Sequence, residues 1–195
     1  MARRTNKHRS PAGRLRIVAG NWRSRLLEIA DVEGLRPTAE RIRETLFNWL
    51  APTLPGSRCL DLYAGTGALG VEALSRGADE VVFVERHPVA VRQLQANIAT
   101  LGADDAEVIG KDALEYLRTR PRAPYDIVFL DPPFAADLLG ETCRLLSGKH
   151  WLAANALVYI ELDRAAAQPE LPPGWTVQKN KTAGNVRYML VATRT

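Results

Sequence analysis

The sequence has little of what secreted, metal-binding or membrane proteins require. It holds two cysteines in 195 residues. Neither Cys59 nor Cys143 lies in a C-x-x-C pair, so we expect reduced thiols in the core rather than a metal site or a disulfide framework. No apolar run approaches the ~18 residues of a membrane span, and the basic N-terminus lacks the apolar segment of a secretory signal. These absences predict a soluble, cytoplasmic protein without a metal.

Acidic residues are also missing from residues 1–27, which hold eight lysines and arginines. The rest of the chain holds 18 basic and 22 acidic residues, so a basic arm precedes a mildly acidic body. Such an arm favours binding to a polyanion such as RNA. For residues 1–13 alone, a solvated tail is an equally good interpretation.

Two short β-prone runs, Leu15–Ala19 and Arg25–Ile29, flank a Gly-Asn-Trp-Arg-Ser segment and predict a small hairpin. The hairpin could present its arginines to a phosphate backbone. The candidate RNA contacts in it are Arg14, Arg16, Arg23 and Arg25.

A helix is predicted after the hairpin, with Thr38 as its N-cap and apolar residues at helical spacing from Ile42 to Leu50. Pro52 ends it. Three arginines lie off the apolar stripe, either as solvated surface or as contacts with RNA or a cofactor: Arg36, Arg41 and Arg43.

From Arg58 onward, predicted strands and helices alternate, which is typical of a parallel sheet with right-handed crossovers. We therefore divide the chain near residue 55 into an RNA-binding extension, 1–55, and an α/β domain, 56–195. The first strand contains Leu60 and Leu62. The later strands are predicted at 80–85, 106–109, 125–130, 156–162, 175–180 and 186–192.

The segment Cys59–Gly70, CLDLYAGTGALG, predicts a strand that breaks into a glycine-rich turn and opens a helix, a geometry that cradles nucleotides. Gly65, Gly67 and Gly70 satisfy G-x-G-x-x-G, so an NAD site must be considered. Asp61 favours a different ligand. A carboxylate at this strand edge suits the cationic amino-acid moiety of S-adenosylmethionine (SAM), whereas it would repel a pyrophosphate.

Two further acids follow strands. Glu85 ends the second strand, where it could accept hydrogen bonds from both ribose hydroxyls of an adenosine ligand; a surface glutamate is the alternative. Asp112 follows the third strand, where it could hold an adenine amino group or equally well cap the next helix.

The apolar strand at residues 125–130 is expected to be central, and it ends in Asp131-Pro132-Pro133-Phe134. The Asp131 carboxylate and the Pro132 carbonyl can accept both N–H bonds of an exocyclic amine and aim its lone pair at a methyl donor. Pro133 fixes a backbone φ angle next to the substrate, and Phe134 can stack on a base. The motif predicts amine methylation, with Asp131, Pro132 and Phe134 as the catalytic residues.

With these motifs the chain resembles class I SAM-dependent methyltransferases of the amino-methylating (D/N)-PP-(F/Y) group. The segments RIVAGNWRSRLL, LRPTAERIRETLFNWL, DLYAGTGALGVEALSRGA and DPPF together resemble the bacterial 16S ribosomal RNA guanine N2-methyltransferase family (RsmD type), over nearly the whole chain.

The resemblance implies a Rossmann-like α/β fold with a seven-stranded, mostly parallel sheet in the order 3-2-1-4-5-7-6, its last strand antiparallel, and helices on both faces. It also implies SAM as the cofactor and 16S ribosomal RNA or a small-subunit assembly particle as the partner. We expect a monomer. The candidate cofactor contacts are Asp61, Tyr63, Gly65, Gly67, Glu85 and Asp112.

Other functions remain open at this point. The DPPF motif alone does not exclude DNA adenine or cytosine-N4 methylation, because Asp131 and Pro132 could accept from any exocyclic amine. The choice of guanine rests on the resemblance of the N-terminal segments. A non-catalytic RNA-binding protein is disfavoured by the intact turn and DPPF corner. An NAD-dependent oxidoreductase is disfavoured by Asp61 and by the lack of a His or Tyr/Lys pair placed for hydride transfer.

Overall fold

A computed structural model describes residues 13–133, 138–148 and 150–194 of the protein. Strands and helices alternate along most of it, as the sequence predicts. The strands are β1 Arg14–Arg16, β2 Leu26–Glu28, β3 Arg58–Asp61, β4 Glu80–Glu85, β5 Ala106–Gly110, β6 Tyr125–Leu130, β7 Leu152–Asp163, β8 Trp175–Ala183 and β9 Val186–Thr193. The helices are α1 Glu40–Leu50, α2 Ala68–Ser75, α3 Pro88–Leu101, α4 Ala113–Leu117 and α5 Leu139–Leu146.

Within the described residues, β3 to β9 form one seven-stranded sheet in the order β5-β4-β3-β6-β7-β9-β8. This is the predicted order. Strands β3 to β7 pair in parallel, and β9 runs antiparallel to both β7 and β8. The Rossmann-like fold and the antiparallel last strand are therefore confirmed.

Helices cover both faces of the sheet. Cys59 of β3 and Ile127 and Phe129 of β6 point to the face covered by α1, α2 and α3. Even-numbered residues of the same strands, such as Leu60 and Val128, point to the face covered by α4 and α5. Because side chains alternate along a strand, Asp61 and Asp131 lie on the same face as α1.

The predicted N-terminal hairpin is confirmed with shorter strands, β1 and β2. Its buried residues Leu15, Ile17 and Leu27 belong to the same apolar cluster as α1 and the sheet. The division of the chain at residue 55 stays a prediction.

Two predictions about the first helix are wrong. Helix α1 starts after Ala39 without a side-chain cap, so Thr38 is not its N-cap. Arg43 is neither solvated nor free for a ligand, because only 3% of it is exposed. Its guanidinium pairs with Glu72 at 3.0 Å and donates to the backbone oxygens of Arg16 and Thr38.

Both cysteines are free and buried, as predicted. Among the residues that the structure describes, no helix has the length and apolarity to cross a membrane. The same residues contain no group of three or more His, Cys, Asp or Glu side chains placed to hold a metal.

Candidate active site

Four acids converge on one edge of the sheet, where β3, β4, β6 and β7 reach their carboxyl ends. Asp61 ends β3 and Glu85 ends β4, while Asp131 directly follows β6 and Glu161 lies near the end of β7. In open α/β sheets ligands bind outside the carboxyl ends of the strands. We call this group of four the acidic edge.

The glycine-rich turn lies directly above Asp61. Gly65 and Gly67 both have positive φ angles, 52° and 77°, which explains why side-chain-free residues occupy them. The Asp61 Oδ2 atom accepts a hydrogen bond from the Gly70 backbone N–H at 2.9 Å and so fixes the turn to the strand. The structure thus brings the predicted site residues Asp61, Gly65 and Gly67 together.

Two of the three glycines are also required by packing within the protein. A Cβ atom on Gly67 would lie 2.4 Å from Leu94 Cδ1, and one on Gly70 would lie 2.2 Å from Phe83 Cε1. A Gly67→Val variant would therefore disturb the fold as well as a ligand, and it is a poor test of cofactor binding.

Glu85 holds the turn from the neighbouring strand. Its Oε2 accepts from Gly65 N–H at 2.9 Å, and its Oε1 accepts from His87 N–H at 2.6 Å. Each carboxylate oxygen has a second acceptor position, so a contact with ribose stays a prediction.

Asp112 does cap a helix. Its Oδ1 accepts from the backbone N–H groups of Leu114 and Glu115 at the start of α4. Its other oxygen accepts no hydrogen bond from the described residues, so the predicted adenine contact is compatible with the cap but untested. Tyr63 is half-buried, and its hydroxyl lies 2.6 Å from Thr142 Oγ1.

The DPPF corner begins at the acidic edge. Asp131 Oδ2 accepts a hydrogen bond from the Thr38 hydroxyl at 3.2 Å. Pro132 is buried and Pro133 is exposed. Phe134 lies outside the described residues, so its stacking role stays a prediction. Thr38, which the sequence suggested as a helix cap, is therefore a contact of the candidate catalytic aspartate.

Glu161 was missed by sequence reasoning, although it is 96% buried beside the corner, with 4% of its surface exposed. Leu130 pairs with Ile160, which places Asp131 next to Glu161 on adjacent parallel strands. The Tyr159 hydroxyl donates to Glu161 Oε2 at 2.8 Å. The available signal was a single acid inside the otherwise apolar run ALVYIEL.

Burial and repulsion between neighbouring acids disfavour the charged forms of three members of the acidic edge: Asp61, Asp131 and Glu161. Burial, with added repulsion from Asp131 and Glu85, raises the pKa of Asp61 to about 7 despite its bond from Gly70. Burial also raises the pKa of Asp131 and, together with the Asp131 charge, the pKa of Glu161. No basic side chain of the described residues contributes to these three shifts, so the edge favours a ligand that brings positive charge or N–H donors.

Six arginines predicted to contact RNA are exposed: Arg14, Arg16, Arg23, Arg25, Arg36 and Arg41. Arg25 also donates to the Thr100 backbone oxygen at 2.9 Å. Arg14 and Arg16 line an open cavity of about 400 Å³ between the hairpin and the start of α1. Thr38 lines the same cavity, so a basic surface leads directly to the residue that contacts Asp131.

Comparison with known proteins gives a family and near relatives. The sequence profile of the family described as conserved hypothetical protein 95 matches residues 15–192. The ribosomal RNA small subunit methyltransferase D of Escherichia coli K12 is 46% identical over 181 residues, which cover 93% of this chain and 91% of that protein. The protein of the same name from Haemophilus influenzae is 46% identical over 182 residues, which cover 91% of this chain and 93% of that protein.

A solved structure agrees with the fold. The Escherichia coli protein yhhF superposes with a TM-score of 0.87 at 43% identity, covering 93% of this chain and 99% of that one.

Proposed function

The chain belongs to the conserved hypothetical protein 95 family, and on that premise we propose that it is a SAM-dependent methyltransferase of small-subunit ribosomal RNA. The observation that carries the proposal is the acidic edge, in which Asp131 follows the central strand β6 beside a glycine-rich turn held by Asp61 and Glu85. Relatives at 46% identity are named as small-subunit ribosomal RNA methyltransferases.

SAM fits the residues present. Two positive-φ glycines let a ligand approach the backbone closely, and the adjacent acids are suited to its ammonium group and ribose hydroxyls. When bound, SAM supplies an electrophilic methyl group on a sulfonium cation. Asp61, Gly65, Gly67 and Glu85 would hold it, with Tyr63 and Asp112 flanking.

The acceptor is an exocyclic amine, and the chain's own residues position it. Asp131 and the Pro132 carbonyl accept its two N–H bonds, which directs the nitrogen lone pair away from them and toward the methyl donor. Thr38 fixes the Asp131 carboxylate in turn. After transfer the nitrogen carries a positive charge and loses a proton. The Asp131 carboxylate is the proton acceptor within reach.

The finer proposal is that the amine is N2 of one guanine. The support is the likeness of the N-terminal segments to the guanine N2-methyltransferase family. A paired guanine would first have to leave its helix, or lie in a loop, to reach the edge. The substrate would be ribosomal RNA alone or a small-subunit assembly particle, met in the cytoplasm by a monomeric enzyme.

RNA affinity is assigned to the exposed arginines of the hairpin. If Arg14, Arg16, Arg23 and Arg25 each contact a phosphate, replacing all four by glutamine should flatten the log–log salt dependence of binding by roughly 3 units, at about 0.7 per contact on single strands. Substitution is preferable to deleting the hairpin, because Leu15 and Ile17 are part of the core. An unaltered slope would contradict this assignment.

The activity itself is tested by incubating the protein with isotope-labelled SAM and either small-subunit RNA or assembled small subunits from a strain that lacks it. Digestion to nucleosides and mass spectrometry then identify the labelled nucleoside. We expect N2-methylguanosine. N6-methyladenosine, or label in DNA alone, would contradict the guanine assignment while leaving amine methylation intact; no label in any nucleic acid would contradict the proposed function.

A further inference from the structure

Glu161 is a buried acid for which the methyl-transfer step described above has no use. It lies on β7, next to Asp131 on β6, because Leu130 and Ile160 are paired in the same register. Neighbouring strands are separated by about 4.8 Å, so the two carboxyl groups stand side by side at the acidic edge. On its other side Glu161 is paired with Tyr188 of β9.

Among the described residues, one of the two carboxyl oxygens of Glu161 has a hydrogen-bond donor. Tyr159 donates its hydroxyl to Oε2, and Oε1 accepts no hydrogen bond from the described part of the chain. That oxygen therefore leaves an acceptor position open to a donor from a ligand. An ionised carboxylate only accepts hydrogen bonds, so the group that fills this position is an N–H or O–H donor.

The bases differ in what lies beside the amine that Asp131 would hold. In guanine the 2-amino group lies between two ring nitrogens: N1, on the Watson–Crick edge, carries a hydrogen and donates, whereas N3 accepts. In adenine and cytosine the Watson–Crick ring nitrogen next to the amine carries no hydrogen and accepts. An acceptor placed beside Asp131 therefore matches guanine and opposes the other two bases.

We propose that Glu161 selects guanine, its Oε1 accepting the N1–H bond while Asp131 accepts an N–H bond of the 2-amino group. This inference rests on the proposed function and adds the residue that discriminates between bases. Two hydrogen bonds to the ionised form, from the Tyr159 hydroxyl and from N1–H, offset the burial that raises the pKa of Glu161.

A site built around a substrate N–H rejects an analogue that lacks it far more strongly than an apolar pocket could. 2-Aminopurine is such an analogue, because it keeps the 2-amino group but has an acceptor at N1. The substrates are small-subunit RNAs with either guanine or 2-aminopurine at the methylated position. Each RNA is used as a free fragment or in a reconstituted particle, depending on which form the wild type methylates.

The wild type should prefer guanine over 2-aminopurine by at least about 100-fold in kcat/KM. In Glu161→Gln the preference should fall to within about 10-fold, because the amide can donate to N1 of 2-aminopurine. Loss of O6 in the analogue affects both proteins equally and cancels in the comparison. Glu107→Gln, the same change at an exposed position on β5, should keep the wild-type preference.

Unfolding temperature and SAM affinity of each variant are measured in parallel. If Glu161→Gln does not fold, Tyr159→Phe removes the hydroxyl that holds the carboxylate and should reduce the preference by about 2- to 10-fold. The proposal would be overturned if a folded Glu161→Gln variant, or Tyr159→Phe in its place, methylated guanine with the wild-type preference over 2-aminopurine. Absence of methyl transfer to the wild-type RNA would instead refute the proposed function.

Discussion

The buried Glu72 on α2 and the acids of the acidic edge lie on the α1 side of the sheet, and the protein satisfies them very differently. Glu72 accepts four hydrogen bonds, from the backbone N–H groups of Val18 and Ala19 and from the guanidinium groups of Arg43 and Arg76. In the acidic edge, Asp61, Asp131 and Glu161 each accept one side-chain or backbone hydrogen bond and face no described cation.

The difference separates a structural acid from binding acids. Glu72 links the N-terminal hairpin and α1 to α2, and donors within the protein compensate its charge. The acidic edge keeps acceptor positions that no described residue fills. Burial and the nearby charges of Asp131 and Glu85 raise the pKa of Asp61. We infer that cofactor and substrate complete the edge, and four expected effects test this contrast.

The largest effect should come from Glu72→Ala. Removing one partner leaves Arg43 buried without its anion, which typically costs about 3–5 kcal/mol of unfolding free energy. Urea titration measures it. The control is Glu80→Ala, which breaks the partly exposed pair of Glu80 with Arg58 and should cost at most about 1 kcal/mol. Equal losses of unfolding free energy in the two variants would show that Glu72 stabilises the fold no more than a partly exposed ion pair does.

Asp131→Ala should fold and bind SAM but lose turnover. A hydrogen bond to a charged acceptor is worth about 1.5–3 kcal/mol, which corresponds to roughly 10- to 100-fold in rate. Single-turnover methylation measures the rate, and titration calorimetry measures the SAM affinity. A rate equal to that of the wild type would exclude Asp131 from the mechanism.

Asp61 should make stability depend on pH. Its pKa is about 7 in the folded protein against 3.8 for the free side chain, so the folded state binds the extra proton. The stability from this group is complete below pH about 4 and is lost as the pH rises through about 7. Relative to Asp61→Asn, the unfolding free energy without SAM should fall by about 1–3 kcal/mol over that range. A constant difference between the two proteins would show that Asp61 is ionised throughout.

The smallest effect is expected from Thr38→Val, which removes the hydroxyl that holds Asp131. A neutral donor contributes about 0.5–1.5 kcal/mol, so the rate should fall by about 2- to 10-fold with SAM affinity unchanged. Thr38→Ser keeps the hydroxyl and should retain most of the rate. If the serine variant were as slow as the valine variant, the hydroxyl would have no such role.

The sequence predicts the segments whose form depends on near neighbours. The bounds of β4 and β6 match the predicted strands, because a short apolar run between turn residues is a local signal. Gly102 ends α3 in the left-handed conformation, a position that glycine commonly occupies.

Residues whose roles depend on distant partners were not predicted. Thr38 bonds to Asp131, 93 positions away, and Arg43 bonds to Glu72, 29 positions away. Each looked like an ordinary capping or surface residue within its own segment. Glu161 was missed for the same reason, because its position beside Asp131 follows from strand register, which the sequence does not show.

The most direct test plots the single-turnover methylation rate against unfolding free energy for Glu72→Ala, Glu80→Ala, Asp131→Ala and Thr38→Val under conditions where each is folded. The account predicts that the Glu72 variant loses stability while its folded fraction keeps a near-wild-type rate, and that the Asp131 and Thr38 variants lose rate at near-wild-type stability. The Glu80 control should stay close to the wild type in both quantities. A single line, on which rate falls in proportion to stability for all four variants, would contradict the division into structural and binding acids.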